Sequence, residues 1–157
     1  PWMYPQATAK ISALIKLRYR LIPYLYELLW QSTHAYEPVL RPTFAEFPAD
    51  HQCYADNDDM MLGPSLLVAP VVDEGRTSRD VYLPAGARWV SYWSGKAFNG
   101  GQAVTLPAPW EQPVMLIREG GVIALNVAEQ KLGVRLYAPQ RELKSVTTSY
   151  HQLVDGD

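Results

Sequence analysis

The stretch MLGPSLLVAPVVDEG, Met61–Gly75, marks the point at which the sequence pattern changes from that of a helix to that of short strands. Its apolar run between Pro64 and Pro70 is too short for a helix, and it lacks the alternation of a half-exposed strand. A short continuous apolar run bounded by turn residues is typical of a buried strand. We therefore predict a buried strand over Leu66–Val72.

Downstream of this stretch, short runs rich in β-branched and aromatic residues alternate with Gly- and Pro-containing turns such as PAGA and REGG. This spacing is typical of an antiparallel β-sandwich. The further predicted strands are Asp80–Leu83, Arg88–Tyr92, Ala103–Leu106, Met115–Arg118, Val122–Leu125 and Val134–Tyr137.

Upstream of the stretch, apolar residues recur at three- and four-residue spacing and predict one long helix over residues 6–36. Thr8 is the candidate N-cap, and Pro23 is expected to kink the helix near Ile22 because it lacks a backbone donor. The pattern favours a core helix over a partner-binding one. The periodic residues are Ile11, Leu14, Ile15, Leu17, Leu21, Ile22, Leu25, Leu28 and Leu29.

A proline-fenced run, Pro38–Pro48, follows the helix and resembles a strand. Arg41 lies inside it, between Leu40 and Pro42. A charge buried at such a position needs a partner, so we expect a structural ion pair between Arg41 and an acidic side chain, within this chain or elsewhere in a longer protein.

Composition bounds the class of protein. The chain has 157 residues, of which 48% are hydrophobic, and a formal net charge of -2. No basic stripe favours nucleic acid, and no apolar stretch approaches the ~20 residues that span a bilayer. A single cysteine, Cys53, allows no internal disulfide, which fits a cytoplasmic location.

Candidate chemical sites are weak. The acidic residues fall mostly in loops, with no pattern that would place two across a cleft. DNDDMMLGPSLL, residues 56–67, begins like a calcium loop but has no Gly at its sixth position and ends on Leu67 instead of a glutamate. His51 and Cys53 lack further ligands at zinc spacing. Ser65 has only half of a nucleophile-elbow motif. No catalytic, cofactor-binding or metal residue is therefore predicted.

Three aromatic residues, Tyr92, Trp93 and Trp110, could stack on a sugar ring. Such side chains more often belong to a sandwich core or to an interface between domains. They support a second hypothesis, that of a non-catalytic carbohydrate-binding or interaction module.

Five motifs in order resemble glycoside hydrolase family 31, the family of α-glucosidases and α-xylosidases. They are LRYRLIPYLYELLW (17–30), EPVLRPTFAEFPAD (37–50), MLGPSLLVAPVVDEG (61–75), VYLPAGARWVSYWSGKAFNGG (81–101) and PVMLIREGGVI (113–123). The stretch before Leu62–Gly63 departs from the family, which often has Asp-x-Gln-Phe there.

The resemblance implies an architecture of α+β type. Residues 1–62 would end a (β/α)₈ catalytic barrel, with the kinked helix followed by the last strand inside Pro38–Phe47. Residues 63–130 would form the proximal β-sandwich, and residues 131–157 would begin a distal β domain. The chain is thus expected to be a segment of a longer protein.

The resemblance also implies a retaining α-glycosidase that acts on α-linked oligosaccharides or glycosides without a cofactor, using two carboxylates on earlier barrel strands. None of those catalytic motifs is present, so the segment alone is expected to be inactive. Without the rest of the barrel, the apolar face of the helix is expected to lack packing partners. This face consists of Leu14, Leu21, Leu25 and Leu28. The predicted consequence is either self-association through residues 10–36 or folding of the sandwich half alone, from about Leu66 onward.

Overall fold

A computed structural model describes residues 4–55, 58–128 and 131–137. The first element, α1, spans Pro5–His34 and continues through Pro23. It begins at Pro5, not after Thr8, and Tyr4 at the N-cap makes no side-chain capping bond. The N-cap prediction was wrong because proline suits the first helical position, where its missing N–H has no helical partner. None of the described helices is long and apolar enough to cross a membrane.

After α1 the chain alternates short strands and turns, with a second helix, α2 (Thr43–Glu46), and a 3₁₀ turn, His51–Tyr54. The strands are β1 (Leu40–Pro42), β2 (Met60–Leu62), β3 (Leu66–Ala69), β4 (Ser78–Leu83), β5 (Arg88–Ser91), β6 (Ala97–Asn99), β7 (Gln102–Pro107), β8 (Val114–Arg118), β9 (Val122–Ala128) and β10 (Lys131–Leu136).

These strands form one six-stranded sheet in the order β1-β2-β3-β8-β5-β6 and two ribbons, β4-β7 and β9-β10. All the pairings are antiparallel. The prediction of an antiparallel β fold attached to a long helix is confirmed, whereas the assignment of the N-terminal part to a barrel stays a prediction.

The six-stranded sheet is buried on both faces, which explains the continuously apolar run in β3. Leu67 joins Trp89 and Leu116 in a core shared with Val81 and Leu83 of β4. On the opposite face, Leu66 joins a second core with Met115 and Ile117, together with residues of α1 and β9. Because neighbouring strand residues point to opposite faces, Leu66 and Leu67 serve different cores. Both are fully buried.

Helix α1 finds partners within this chain. Leu21, Tyr24 and Leu28 belong to the second core. The expectation that Leu21, Leu25 and Leu28 lack partners was wrong, because β9 and the sheet supply the missing surface, with Leu25 partly buried against the second core. Leu14 remains 36% exposed.

Three local predictions were inaccurate. β3 ends at Ala69, and the next residue, Pro70, has no N–H with which to continue a ladder. The run Pro38–Pro48 is a strand only over β1 and then turns into α2. The short strands β2 and β6 were not predicted.

The predicted division at residues 62/63 falls between β2 and β3, which pair directly within the same sheet. The division into three domains stays a prediction. Most of the predicted distal region, residues 138–157, lies outside the described residues, while β10 pairs with β9.

Candidate functional site

Asp59 is the acidic residue whose environment most resembles that of a general acid. Burial raises the pKa of its carboxyl above the ordinary value, although Arg79 acts in the opposite direction. Its side chain is only 5% exposed, and Arg79 Nη2 lies 3.1 Å from its Oδ1. Arg79 Nε also donates to the Pro70 carbonyl at 3.1 Å, so the pair ties β4 to the end of β3. A carboxyl so covered has no access to substrate, and its role is structural.

Asp50 has the opposite electrostatic character. Its carboxylate accepts bonds from the Ala85 N–H at 2.7 Å, the Tyr82 hydroxyl at 2.9 Å and the Gln52 N–H at 3.1 Å. The Ala85 bond is the main cause of the lowered pKa of Asp50. Burial and this anion raise the pKa of Tyr82 to about 12. Asp50 therefore joins the 3₁₀ turn to the loop after β4.

Arg41 forms the ion pair that the sequence predicts. Its side chain is 10% exposed and contacts Glu46 and, at 2.7 Å, Glu37. Its Nε donates to the Pro38 carbonyl at 2.7 Å. The prediction is confirmed with both acidic partners inside this chain, so Arg41 holds together the segment from α1 to α2.

The aromatic residues do not form one sugar-binding surface. Tyr92 is only 5% exposed and belongs to the second core, so its assignment to such a surface was wrong. Trp93 is 38% exposed, and its indole N–H donates to the Pro113 carbonyl at 2.7 Å. Trp110 is 62% exposed, and Lys10 Nζ lies 4.5 Å from its ring centroid.

The weak sequence candidates gain no chemistry from the fold. Burial raises the pKa of the Cys53 thiol to about 11, which leaves it protonated at neutral pH. Ser65 lies in the turn before β3, and its carbonyl accepts the Arg118 N–H. Within residues 4–55, 58–128 and 131–137, no three His, Cys, Asp or Glu side chains are grouped as a metal site would require. Residues 56 and 57 of the calcium-like stretch lie outside the described residues.

Sequence reasoning missed an open cleft of about 510 Å³ at one end of the six-stranded sheet. A salt bridge crosses it, with Arg88 Nη1 lying 3.2 Å from Glu119 Oε1. The sequence predicts the REGG stretch only as a turn between strands, yet this turn brings two of the charged residues, Arg118 and Glu119, to the cleft. The lining residues are Gly86, Ala87, Arg88, Asn99, Gly100, Arg118 and Glu119.

Gly100 sets the shape of one wall of this cleft. A Cβ at this position would lie 2.1 Å from the Pro84 carbonyl oxygen and 2.5 Å from that of Ala87. The Gly100 N–H donates to the Ala87 carbonyl at 2.9 Å. Only glycine allows this close approach of the two backbones, so the β5–β6 end is held in place by main-chain contacts.

Taken together, the described carboxylates with low exposure are engaged by arginines, by backbone and hydroxyl donors or, at Glu27, by the Gln31 side-chain amide, which donates to Oε1 at 2.9 Å. Glycoside hydrolysis needs one carboxyl as an acid and a second, facing carboxylate as a nucleophile or base. The carboxylates at Asp59, Asp50, Glu46 and Glu119 instead join separate elements of the fold. Their chemistry is that of a scaffold.

Comparison with known proteins identifies the family. The model of the glycosyl hydrolase family 31 C-terminal domain matches residues 36–123. Alpha-glucosidase 2 of Bacillus thermoamyloliquefaciens is 36% identical over 127 residues, which are 80% of this chain and 16% of that protein. An alpha-xylosidase of Saccharolobus solfataricus is 30% identical over 166 residues, covering 100% of this chain and 22% of that protein.

Among solved structures, the cycloalternan-forming enzyme of Listeria monocytogenes, in complex with a pentasaccharide substrate, superposes with a TM-score of 0.80 at 25% identity. The match covers 86% of this chain and 14% of that one. The chain thus spans between a seventh and about a fifth of the length of the relatives it matches. Because the family model covers more than half of the chain, and the fold agrees, the chain belongs to glycosyl hydrolase family 31 and carries that family's C-terminal domain.

Proposed function

We propose that this chain is part of a retaining α-glycosidase that hydrolyses α-linked oligosaccharides or glycosides, with its catalytic carboxylates in another part of a longer protein. Membership of the family supports a glycoside hydrolase, and the relatives named alpha-glucosidase and alpha-xylosidase support an α-linked substrate. The observation that carries the proposal is that the poorly exposed carboxylates among the described residues are already engaged by structural partners.

In this proposal the described residues support the catalytic part instead of reacting. The sheet is anchored on α1 through Leu66 and on β4 through Leu67, so the residues before and after Gly63 form a continuous structure. The carbohydrate-binding alternative is weakened, because one of its three aromatic residues, Tyr92, is buried and does not belong to the surface.

The test compares the 157-residue chain with the longer protein that contains it. We expect the longer protein to hydrolyse p-nitrophenyl α-glucoside or α-xyloside, and proton magnetic resonance to show the α anomer as the first product, as retention requires. The 157-residue chain should show no turnover. Hydrolysis by the short chain that is lost on changing one of its own acids would overturn the proposal.

Asp59 provides the sharpest internal control, because its raised pKa makes it the best candidate for an acid within the described residues. Asp59→Asn in the longer protein should change thermal stability but leave kcat and its pH profile unaltered. A folded Asp59→Asn protein without activity would make Asp59 catalytic and refute its structural role.

A further inference from the structure

The cleft between the β5–β6 end and the β8–β9 turn has no part in the proposed hydrolysis. It is an open depression of about 510 Å³. Three short segments, 86–88, 99–100 and 118–119, converge on it. Each of the three is fixed by strand pairing or by backbone hydrogen bonds.

Arg118 is the unusual residue in this lining. It pairs with Trp89 across β8 and β5, so both side chains lie on the same face of the sheet. Its guanidinium carbon lies 5.1 Å from the centroid of the Phe47 ring, and Phe47 is itself a core residue. Arg118 as a whole is half-buried, and among the described residues its guanidinium makes no ion pair and no side-chain hydrogen bond.

The other charges of the cleft cancel one another. Arg88 is paired with Glu119, whose side chain is only 16% exposed. Arg88 and Asn99 are cross-strand partners, which places the Asn99 amide beside the pair. Because Arg88 precedes Trp89 in β5, the Arg88–Glu119 pair lies on the face of the sheet opposite Arg118, so Arg118 alone contributes an uncompensated positive charge on its side of the cleft.

We propose that this cleft binds an oxyanion, a carboxylate or phosphate group, with the Arg118 guanidinium as its principal donor. A planar guanidinium presents parallel N–H groups that match the two oxygens of a carboxylate or phosphate. Partial burial weakens competition from water, and contact with the Phe47 ring fixes the orientation of the fork. A neutral sugar offers no charge to complement Arg118.

The oxyanion can have two sources. It is either a free charged sugar, such as a uronate or a sugar phosphate, or an acidic side chain from another part of the longer protein. The site does not depend on the proposed glycosidase activity, since none of its residues is assigned to catalysis.

The first experiment titrates the 157-residue chain, at low ionic strength, with inorganic phosphate, glucuronate and glucose by isothermal calorimetry. Phosphate and glucuronate should bind saturably, and glucose should not. Arg118→Met should weaken binding by about tenfold or more, and Arg118→Lys by less, because lysine keeps the charge but not the fork. Arg76→Met is the matched control: its side chain is 69% exposed, it lies outside the cleft, and it should not alter binding.

The second experiment distinguishes the sources by repeating the titration on the longer protein. If the oxyanion is free in solution, the longer protein binds phosphate as the short chain does. If it is a side chain of the protein, the longer protein binds none, and Arg118→Met lowers its thermal midpoint while leaving that of the short chain unchanged.

The proposal is wrong if binding by the short chain is absent or does not depend on Arg118 and, in addition, Arg118→Met leaves the thermal midpoint of the longer protein unchanged. Should Arg118→Met fail to fold, Arg118→Lys, which keeps the aliphatic stem, replaces it with a smaller expected loss of binding. Failure of the proposed hydrolysis would leave these binding results unaffected, so the two proposals are tested separately.

Discussion

Substituting Gly63 tests the contact on which the joint between helix and sheet depends. Gly63 lies in the turn between β2 and β3, has a φ of +62°, and faces α1. A Cβ there would lie 2.3 Å from Leu28 Cδ2 and 2.9 Å from the Tyr24 hydroxyl. Both neighbours are buried core residues, and the Tyr24 hydroxyl is held in place by donating to the Leu62 carbonyl at 2.8 Å.

Two terms set the size of the effect of Gly63→Ala. The left-handed backbone costs a non-glycine residue about 1–2 kcal/mol. Forcing a methyl group into a packed core costs about 1–3 kcal/mol more. We therefore expect Gly63→Ala to lower the free energy of unfolding by about 2–5 kcal/mol, a large part of the stability of a small domain.

Gly75→Ala is the matched control. Gly75 has a φ of +75°, and a Cβ there would meet nothing within 4 Å. Gly75→Ala carries the same cost of a positive φ and the same change in unfolded-state entropy as Gly63→Ala. The difference between the two variants in the free energy of unfolding therefore measures the steric contact of residue 63 with α1. Urea unfolding of the 157-residue chain, followed by circular dichroism, measures both.

Leu28→Ala provides a second check, because it removes the atoms that the new methyl group would meet. The costs of Gly63→Ala and Leu28→Ala should sum to more than the cost of the double variant, by about 1–3 kcal/mol. If Gly63→Ala costs no more than Gly75→Ala, or if the two substitutions are additive, α1 does not pack on the β2–β3 turn and the reasoning fails.

Three further predictions concern charge and assembly. Arg41→Met should lower the free energy of unfolding by about 2–4 kcal/mol by leaving Glu46 poorly solvated; a higher KM with unchanged stability in the longer protein would instead indicate a substrate contact. Asp50→Asn should destabilise the chain by about 1–2 kcal/mol at pH 7. Because folding lowers the pKa of Asp50, its stabilisation is present above the unfolded value of about 4 and is lost as pH falls through the folded value, so wild type and Asp50→Asn should converge in acid denaturation curves. We also propose that the chain self-associates through the exposed part of α1, where Ile15 is 49% exposed. The Ile15→Lys variant should therefore sediment as a monomer. A wild-type chain that is monomeric at all concentrations would exclude this association.

The local features of the fold could be predicted from the sequence because they depend on neighbours along the chain. The spacing of apolar residues in 6–36 predicts α1 to within a few residues. The continuous apolar run after Pro64 predicts β3, and Gly- and Pro-rich turns separate the later strands. The ion pair of Arg41 follows the same logic, since its partners Glu37 and Glu46 lie four and five residues away.

The candidate sites could not be predicted in this way. Asp59 and Arg79 are 20 residues apart, and Arg88 and Glu119 are 31 apart. Their meeting depends on the order and register of the strands, above all on β8 lying between β3 and β5. Antiparallel pairing across such distances leaves no periodic signal in either segment.

By itself the sequence determined that Leu66 and Leu67 are both buried, and the order of its motifs indicated the family. It did not determine that Leu67 faces β4 while Leu66 faces α1, nor that the helix would find its core within this chain. Only the tertiary structure decided these points. Because side chains alternate along a strand, neighbouring residues point to opposite faces of the sheet. Which layer covers each face is set by distant segments that pack there.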